Sequence, residues 1–373
     1  MARNQCELDR GTFMTNRASK PSPATLRRGI RLKGWGIVAL VFAVGAAAAT
    51  AVWSPTDSAY HADPAARTVM EMPAPPLRRF LARDGAALAY REFTPDPDTA
   101  TPPVVAILLH GSAGSSLNMT VLGEALAKAG VPAFALDARG QGLSGRRGDI
   151  DYVGQHQDDL ADFVTTARKA YPDARLVLVG HSAGGGFALH IAGRSEGHLF
   201  RRFVLLSPFL GRLAPTDRPD AGWAKPHIGR IILLRALNAI GDTSHNGEST
   251  LTFALPPGAE HLGLTRSWSY RMMLDYGPSG VTALSGRPGY LADAARAKSP
   301  IVVIAGAADE QFHADKYGAA FAGLAKTVSV ELAPGVSHMG VVSDPRALPL
   351  IVAAVKAGAS KATCGAAAMR ARP

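Results

Sequence analysis

The 373-residue sequence predicts an α/β architecture built on a mostly parallel sheet, and three observations carry that expectation. Short, continuous runs of Val, Ile, Leu and Ala recur between residues 77 and 332. Such runs suit strands covered on both faces, because a half-exposed strand alternates apolar with polar residues. Amphipathic stretches of helical length lie between the runs. The composition agrees: 47% hydrophobic and 19% charged, with 39 glycines and 26 prolines, it fits a globular domain and excludes a mainly disordered chain, a coiled coil or a solenoid.

Strands are predicted at 77–82, 87–93, 104–109 (VVAILL), 131–136 (VPAFAL), 175–179 (RLVLV), 203–206 (FVLL), 301–305 (IVVIA) and 328–332 (VSVEL). Helices are predicted at 118–129, 154–170, 183–193, 313–325 and 345–357. Together they define an eight-stranded core over 77–208 and 299–357, with helices on both faces of the sheet. About 90 residues, 209–298, separate the sixth strand from the seventh. That is too long for a connecting loop and predicts an inserted cap or lid.

The net charge of +10 is concentrated at the ends. Residues 1–33 hold eight basic side chains against two acidic ones, and 356–373 hold Lys356, Lys361, Arg370 and Arg372 with no acid. Residues 34–355 are formally neutral, and no basic-aromatic run marks a nucleic-acid surface. From Trp35 to Trp53 the chain is almost wholly apolar over 19 residues, enough at about 1.5 Å per residue to reach roughly 28 Å, close to a bilayer core. With Arg27, Arg28, Arg31 and Lys33 before it, the segment 34–54 is expected to be a transmembrane signal-anchor with a cytoplasmic N-terminus, the basic tail 1–33 inside and the rest of the chain outside. A cleaved signal peptide is the alternative, since alanines 46–49 offer small-residue cleavage sites. Residues 55–76, with five prolines, read as an extended linker, and 358–373 as a basic C-terminal tail. The two cysteines, Cys6 and Cys364, lie near opposite ends, which excludes a disulfide framework and argues against a structural zinc site.

The chemistry-bearing motifs fall at predicted strand ends. Gly180-His181-Ser182-Ala183-Gly184 follows RLVLV and opens a small-residue helix. A nucleophilic serine on a tight strand-to-helix turn needs glycines two before and two after it, so that the backbone can pass close. The helix start also presents N–H groups to a developing oxyanion. His110-Gly111-Ser112-Ala113-Gly114 follows VVAILL and can aim a second N–H at the same oxygen, so Ser112 and either Ala183 or Ala113 are the candidate donors. Phosphate binding at that loop is excluded by the lack of a Lys-Ser/Thr pair or a Gly-x-Gly-x-x-Gly run. Asp309, past IVVIA, is placed to orient an imidazole, with the adjacent Glu310 as its rival. Of the eleven histidines, His338 in GVSHMG, after the last strand, is the best-placed base. Serine, acid and base thus occur in the order Ser182, Asp309, His338.

The set HGSAGSS, DARGQGLSGRRGD, GHSAGG, GAADE and GVSHMG resembles the α/β-hydrolase superfamily and, within it, the serine hydrolases of the monoacylglycerol lipase and lysophospholipase type, over residues 80–355. The resemblance implies the α/β-hydrolase fold for the part of the chain that follows the expected N-terminal transmembrane helix, and Ser182, Asp309 and His338 as a catalytic triad. It assigns Asp137 and Arg139 to loop support beneath the site, alongside His110, Gly111, Gly180, His181 and Gly184. The expected reaction is ester hydrolysis through an acyl-enzyme on Ser182, needing neither metal nor organic cofactor, with a small-molecule or lipid-like ester as substrate. Peptidase or amidase, thioesterase or acyltransferase chemistry suits the same triad, and a non-catalytic binding module is the remaining alternative. The apolar stretches HIGRIILLRALNAIG and WSYRMML in 209–298 would serve an acyl chain or simply pack cap on core.

Overall fold

The computed structural model describes residues 73–96, 103–219, 221–255, 260, 263–278, 288–324 and 326–359. The tail 1–33, the apolar segment 34–54, and nearly all of the linker 55–76 and of the C-terminal tail 358–373 lie outside the described residues. Among the described residues no helix is long and apolar enough to cross a membrane.

Eight strands form one sheet: β1 (Leu77–Leu81), β2 (Ala87–Phe93), β3 (Val104–Leu109), β4 (Ala133–Leu136), β5 (Arg175–His181), β6 (Arg202–Leu206), β10 (Ile301–Gly306) and β11 (Val328–Ala333). Their spatial order is β1-β2-β4-β3-β5-β6-β10-β11. The β1–β2 and β2–β4 pairs are antiparallel and all others parallel, with Ile107 of β3 beside Leu178 of β5. Every residue of β3 and β10 is buried, as their unbroken apolar runs require.

Because side chains alternate across a strand, each central run feeds two cores. Val105, Ile107 and Leu109 join Phe134, Phe163 and Phe187 on one face, while Val104, Ala106 and Leu108 join Met119, Leu122 and Ile351 on the other. Burying each of the larger of these side chains contributes about 1.5–3 kcal/mol, so both faces need cover. On the second face it comes from α1 (Thr120–Lys128) and α8 (Leu348–Lys356), and on the first from α2 (Gln155–Ala170) and α3 (Ala183–Ala192).

The fourth strand is shorter than predicted, beginning at Ala133 rather than 131, since Pro132 has no N–H for the ladder and only accepts, from Ala106. The predicted helix 313–325 is broken into a 3-10 turn at Ala314–Lys316, a single α turn, α7 (Tyr317–Ala320), and another 3-10 turn at Ala322–Leu324. Gly318 and Gly323 in that stretch weaken a continuous helix. Between β6 and β10 the chain builds its own substructure: β7 (Ala224–Pro226), α4 (Ile228–Ala239), β8 (Ser249–Phe253), β9 (Ser267–Ser269), α5 (Tyr270–Asp275) and α6 (Gly289–Arg296). Strands β7, β8 and β9 form an antiparallel three-stranded sheet that the apolar pattern did not announce, because strands of three to five residues are too short to show a period.

Candidate active site

Parallel strands β3, β5, β6, β10 and β11 end on the same edge of the sheet, and the motif residues follow those ends. Ser182 sits between β5 and α3 with φ 52° and ψ −118°, a strained backbone for a residue with a Cβ. Its N–H donates to the Leu206 carbonyl (2.9 Å), and its own carbonyl accepts from Gly186 (3.0 Å) and Phe209 (2.9 Å), so neighbouring elements hold the strain in place. The flanking glycines are needed for close passage: a Cβ on Gly180 would lie 2.2 Å from the Gly184 carbonyl oxygen, and one on Gly184 would lie 2.4 Å from that of His110. Ala183, as the first residue of α3, directs an N–H that has no partner within the helix.

His338 follows β11, and its Nδ1–H donates to Asp309 Oδ2 over 2.9 Å, which leaves Nε2 as the basic nitrogen of the neutral ring. Asp309 Oδ1 accepts from the N–H groups of Gln311 (2.8 Å) and Phe312 (2.9 Å). Burial pushes the Asp309 carboxyl up, but the facing His338 ring, its hydrogen bond, the Ser207 hydroxyl and the Phe312 N–H outweigh this and hold it below the ordinary carboxylate range. Glu310 does different work: its carboxylate accepts the backbone N–H of His338 at 3.0 Å. The two adjacent acids therefore divide, one to the ring and one to the backbone of the same histidine. Phe312 packs edge-on to the His338 ring, with centroids 5.0 Å apart.

His181 clasps the loop of His338 from the nucleophile side. Its Nε2–H donates to the His338 carbonyl (3.1 Å), and the two rings lie 4.7 Å apart. Burial, then the neighbouring His338, push its pKa down to about 3, so it stays neutral. His110 holds the other loop: its Nδ1–H donates to the Gly111 carbonyl (2.7 Å) and its Nε2 accepts from Ala138 (3.2 Å), a neutral tautomer favoured by burial. In a trans peptide the N–H points opposite the C=O, so pinning the Gly111 carbonyl turns the Ser112 N–H the other way. A Cβ on Gly111 would meet Ser182 Cβ at 3.1 Å, which shows how closely the two loops approach.

Asp137 and Arg139 lie beneath this edge. Asp137 accepts the N–H groups of Ser116 and Leu143, both at 2.7 Å, and thereby joins the loops after β3 and β4. Arg139 makes a two-pronged pair with Asp159 (2.8 and 2.7 Å) and reaches Asp84 (2.9 Å). Sequence reasoning missed His156 and Asp275, which are buried together. His156 donates from Nδ1 to Asp275 (2.8 Å) and from Nε2 to the Arg139 carbonyl (2.9 Å). Both partners only accept, so the ring carries both protons: burial pushes its pKa down, but Asp275 and the Arg139 carbonyl raise it above the ordinary value. No local signal marks this pair, since its members lie 119 residues apart. Among the described residues no group of His, Cys, Asp and Glu is arranged to hold a metal ion.

The layered sheet, the strained serine turn and the Asp309–His338 bond define a protein with the α/β-hydrolase fold. A soluble variant of monoglyceride lipase from Saccharomyces cerevisiae superposes with a TM-score of 0.54 at 18% identity, over 78% of this chain and 96% of that one. The monoacylglycerol lipase of Paleococcus ferrophilus gives 0.52 at 19%, over 73% and 99%. Residues 100–248 match the family described as serine aminopeptidase, S33. By sequence the chain resembles monoacylglycerol lipases: it is 31% identical to the human monoglyceride lipase over 145 residues, 39% of this chain and 46% of that protein. Identity to the Mycolicibacterium smegmatis monoacylglycerol lipase is 30% over 130 residues, 35% and 45% of the two chains. The chain thus spans about half the length of the curated relatives it matches.

Proposed function

We propose that the protein is a serine hydrolase of carboxylic esters, acting through an acyl-enzyme on Ser182, with lipid-like esters such as monoacylglycerols or lysophospholipids as its substrates. The observation that carries this reading is the 2.9 Å bond from His338 to the buried Asp309, one loop away from a serine held at φ 52°. In the proposed cycle Ser182 Oγ attacks the ester carbonyl carbon while its proton passes to His338 Nε2. Asp309 stabilises the resulting imidazolium, and the oxyanion takes hydrogen bonds from the N–H groups of Ser112 and Ala183, worth about 3–4 kcal/mol per donor in comparable sites. The tetrahedral adduct collapses as the ester C–O bond breaks, and the departing alkoxide takes the proton from His338. Water then repeats the sequence on the acyl-enzyme and releases the acid.

A lipid-like substrate is supported by the resemblance to monoacylglycerol lipases and by exposed apolar side chains on the insertion: Leu213, Ile228, Ile232 and Ile240 are all more than half exposed. The family match described as serine aminopeptidase favours a second reading, amide hydrolysis by the same residues. A panel of p-nitrophenyl esters, monoacylglycerols, lysolipids and aminoacyl amides, with Ser182→Ala as control, separates the two. Ester turnover and fluorophosphonate labelling, both abolished in Ser182→Ala, are expected. Labelling of Ser182 with no ester of any chain length turned over would refute ester hydrolysis, and cleavage of amides alone would establish the second reading. The proposal extends to placement: segment 34–54 tethers the catalytic part outside the cytoplasm as a signal-anchor, or is removed as a signal peptide and the rest released.

A further inference from the structure

Three separate parts of the insertion reach the same short loop of the core. Trp223, ahead of β7, donates its indole Nε1–H to Ser112 Oγ over 3.0 Å. Thr265, ahead of β9, donates its backbone N–H to the Ala113 carbonyl over 2.9 Å. Tyr276, just past α5, donates its hydroxyl to the His110 carbonyl over 2.8 Å. All three meet the loop that bears the Ser112 N–H.

That loop does not hold its shape by local preference. Ala113 adopts φ 62°, a left-handed conformation disfavoured for a residue with a Cβ. The core pins one peptide of it, through the Gly111 carbonyl, which accepts from His110 Nδ1 (2.7 Å) and from Gly114 (3.3 Å). The residues on either side are bound from the insertion. Trp223 is itself backed by Phe253 of β8, whose ring centroid lies 5.8 Å away, and its carbonyl accepts the Ala254 N–H at 2.9 Å. The indole is therefore presented from a built surface, and Ser112 is fixed at both its side chain and the peptide before it.

We infer that the insertion is the positioning scaffold of the oxyanion loop as well as a cover, and that Trp223 is a positioning residue for acyl transfer, acting through the hydroxyl of Ser112. The inference rests on the reading of Ser112 as an oxyanion donor. Its consequence is a link between the two halves of the site: an insertion seated on the loop holds Ala113 in its left-handed turn and the Ser112 N–H in line, and an insertion drawn away releases both. Because an oxyanion forms only as the reaction proceeds, loss of the link lowers kcat and leaves KM largely unchanged.

The test compares Trp223→Phe, Ser112→Ala, the double variant and Tyr276→Phe in the full chain. Readouts are kcat and KM on a short p-nitrophenyl ester, the inhibition constant of a trifluoromethyl ketone that forms a tetrahedral adduct, and the thermal midpoint. Trp223→Phe and Ser112→Ala should each lower kcat by about 5–20-fold with KM within about twofold, and the ketone should weaken by a similar factor. The double variant should be no worse than the weaker single one, because both remove one hydrogen bond. Trp223→Phe keeps a ring against Phe253, so it decides the matter should Tyr276→Phe fail to fold. An unchanged kcat in either single variant, losses that multiply in the double variant, or a raised KM with intact kcat overturns the inference. Should the unaltered protein hydrolyse no ester, the rate at which a fluorophosphonate labels Ser182 reads the same comparison, since its phosphoryl oxygen occupies the same hole. Failure of the hydrolytic reading is thereby distinguished from failure of this one.

Discussion

Asp309 and Glu310 are neighbours in the chain, yet a turn sends one carboxylate to the ring of His338 and the other to its backbone N–H. Their replacements should therefore differ. Asp309→Asn removes the charge that orients and stabilises the imidazolium and should lower kcat by about 10³–10⁴-fold, while Glu310→Gln, which still offers an acceptor to the N–H, should cost less than about tenfold. Steady-state kinetics on one ester decides this, and equal losses would refute the division of roles. At this scale the sequence showed where a serine, an acid and a base stand relative to strand ends. It did not show the proton positions that make His181 and His110 neutral and His156 charged, because each depends on burial and on a partner supplied by a distant residue: the His338 carbonyl for His181, the Ala138 N–H for His110, and Asp275 for His156.

At the scale of elements, the turn from β5 into α3 tolerates no side chain at Gly184, where a Cβ would meet the His110 carbonyl oxygen at 2.4 Å. Gly184→Ala should destabilise the protein by about 3 kcal/mol and slow labelling of Ser182, measured by urea unfolding and by fluorophosphonate reaction. The spacing of those glycines made the turn legible in advance. The joint between α2 and α5 was not legible, and it carries its own pH dependence. His156 has a pKa raised above its unfolded value, so the pair with Asp275 contributes fully below about pH 6.5 and is lost as pH rises through the raised value. Asp275 is pushed up by burial but lowered further by His156 and the Gly154 N–H, so the same contribution is lost in acid, as pH falls through its depressed value. Asp275→Asn should therefore cost about 3 kcal/mol at pH 6 and less at pH 9, with the difference between protein and variant read from urea midpoints. A difference independent of pH would refute a charged His156.

For the whole molecule, the net charge lies in residues 1–33 and 356–373 of the sequence, while residues 34–355 are formally neutral. A chain starting at Thr68 should keep its turnover of a soluble ester within about twofold of the full chain while losing sedimentation with membranes, as a tether and a catalytic body acting independently would require. Protease added to intact cells should reach the body of the full chain, and a protected body would overturn the outward-facing arrangement. The insertion was legible by its length alone. Its three-stranded sheet and its bonds to the His110–Ala113 loop were not, because Trp223, Thr265 and Tyr276 have no regular spacing to that loop.

Sequence alone determined the α/β layering, the serine turn and the order of serine, acid and base, since these rest on apolar period, close-passing glycines and position after a strand, all local properties of the chain. Tertiary structure alone decided what Glu310 holds beside Asp309, which histidine is charged, and that the insertion grips the loop opposite Ser182. Those outcomes depend on hydrogen bonds between residues dozens to more than a hundred positions apart, and on burial that requires each polar group to find its partners within the protein.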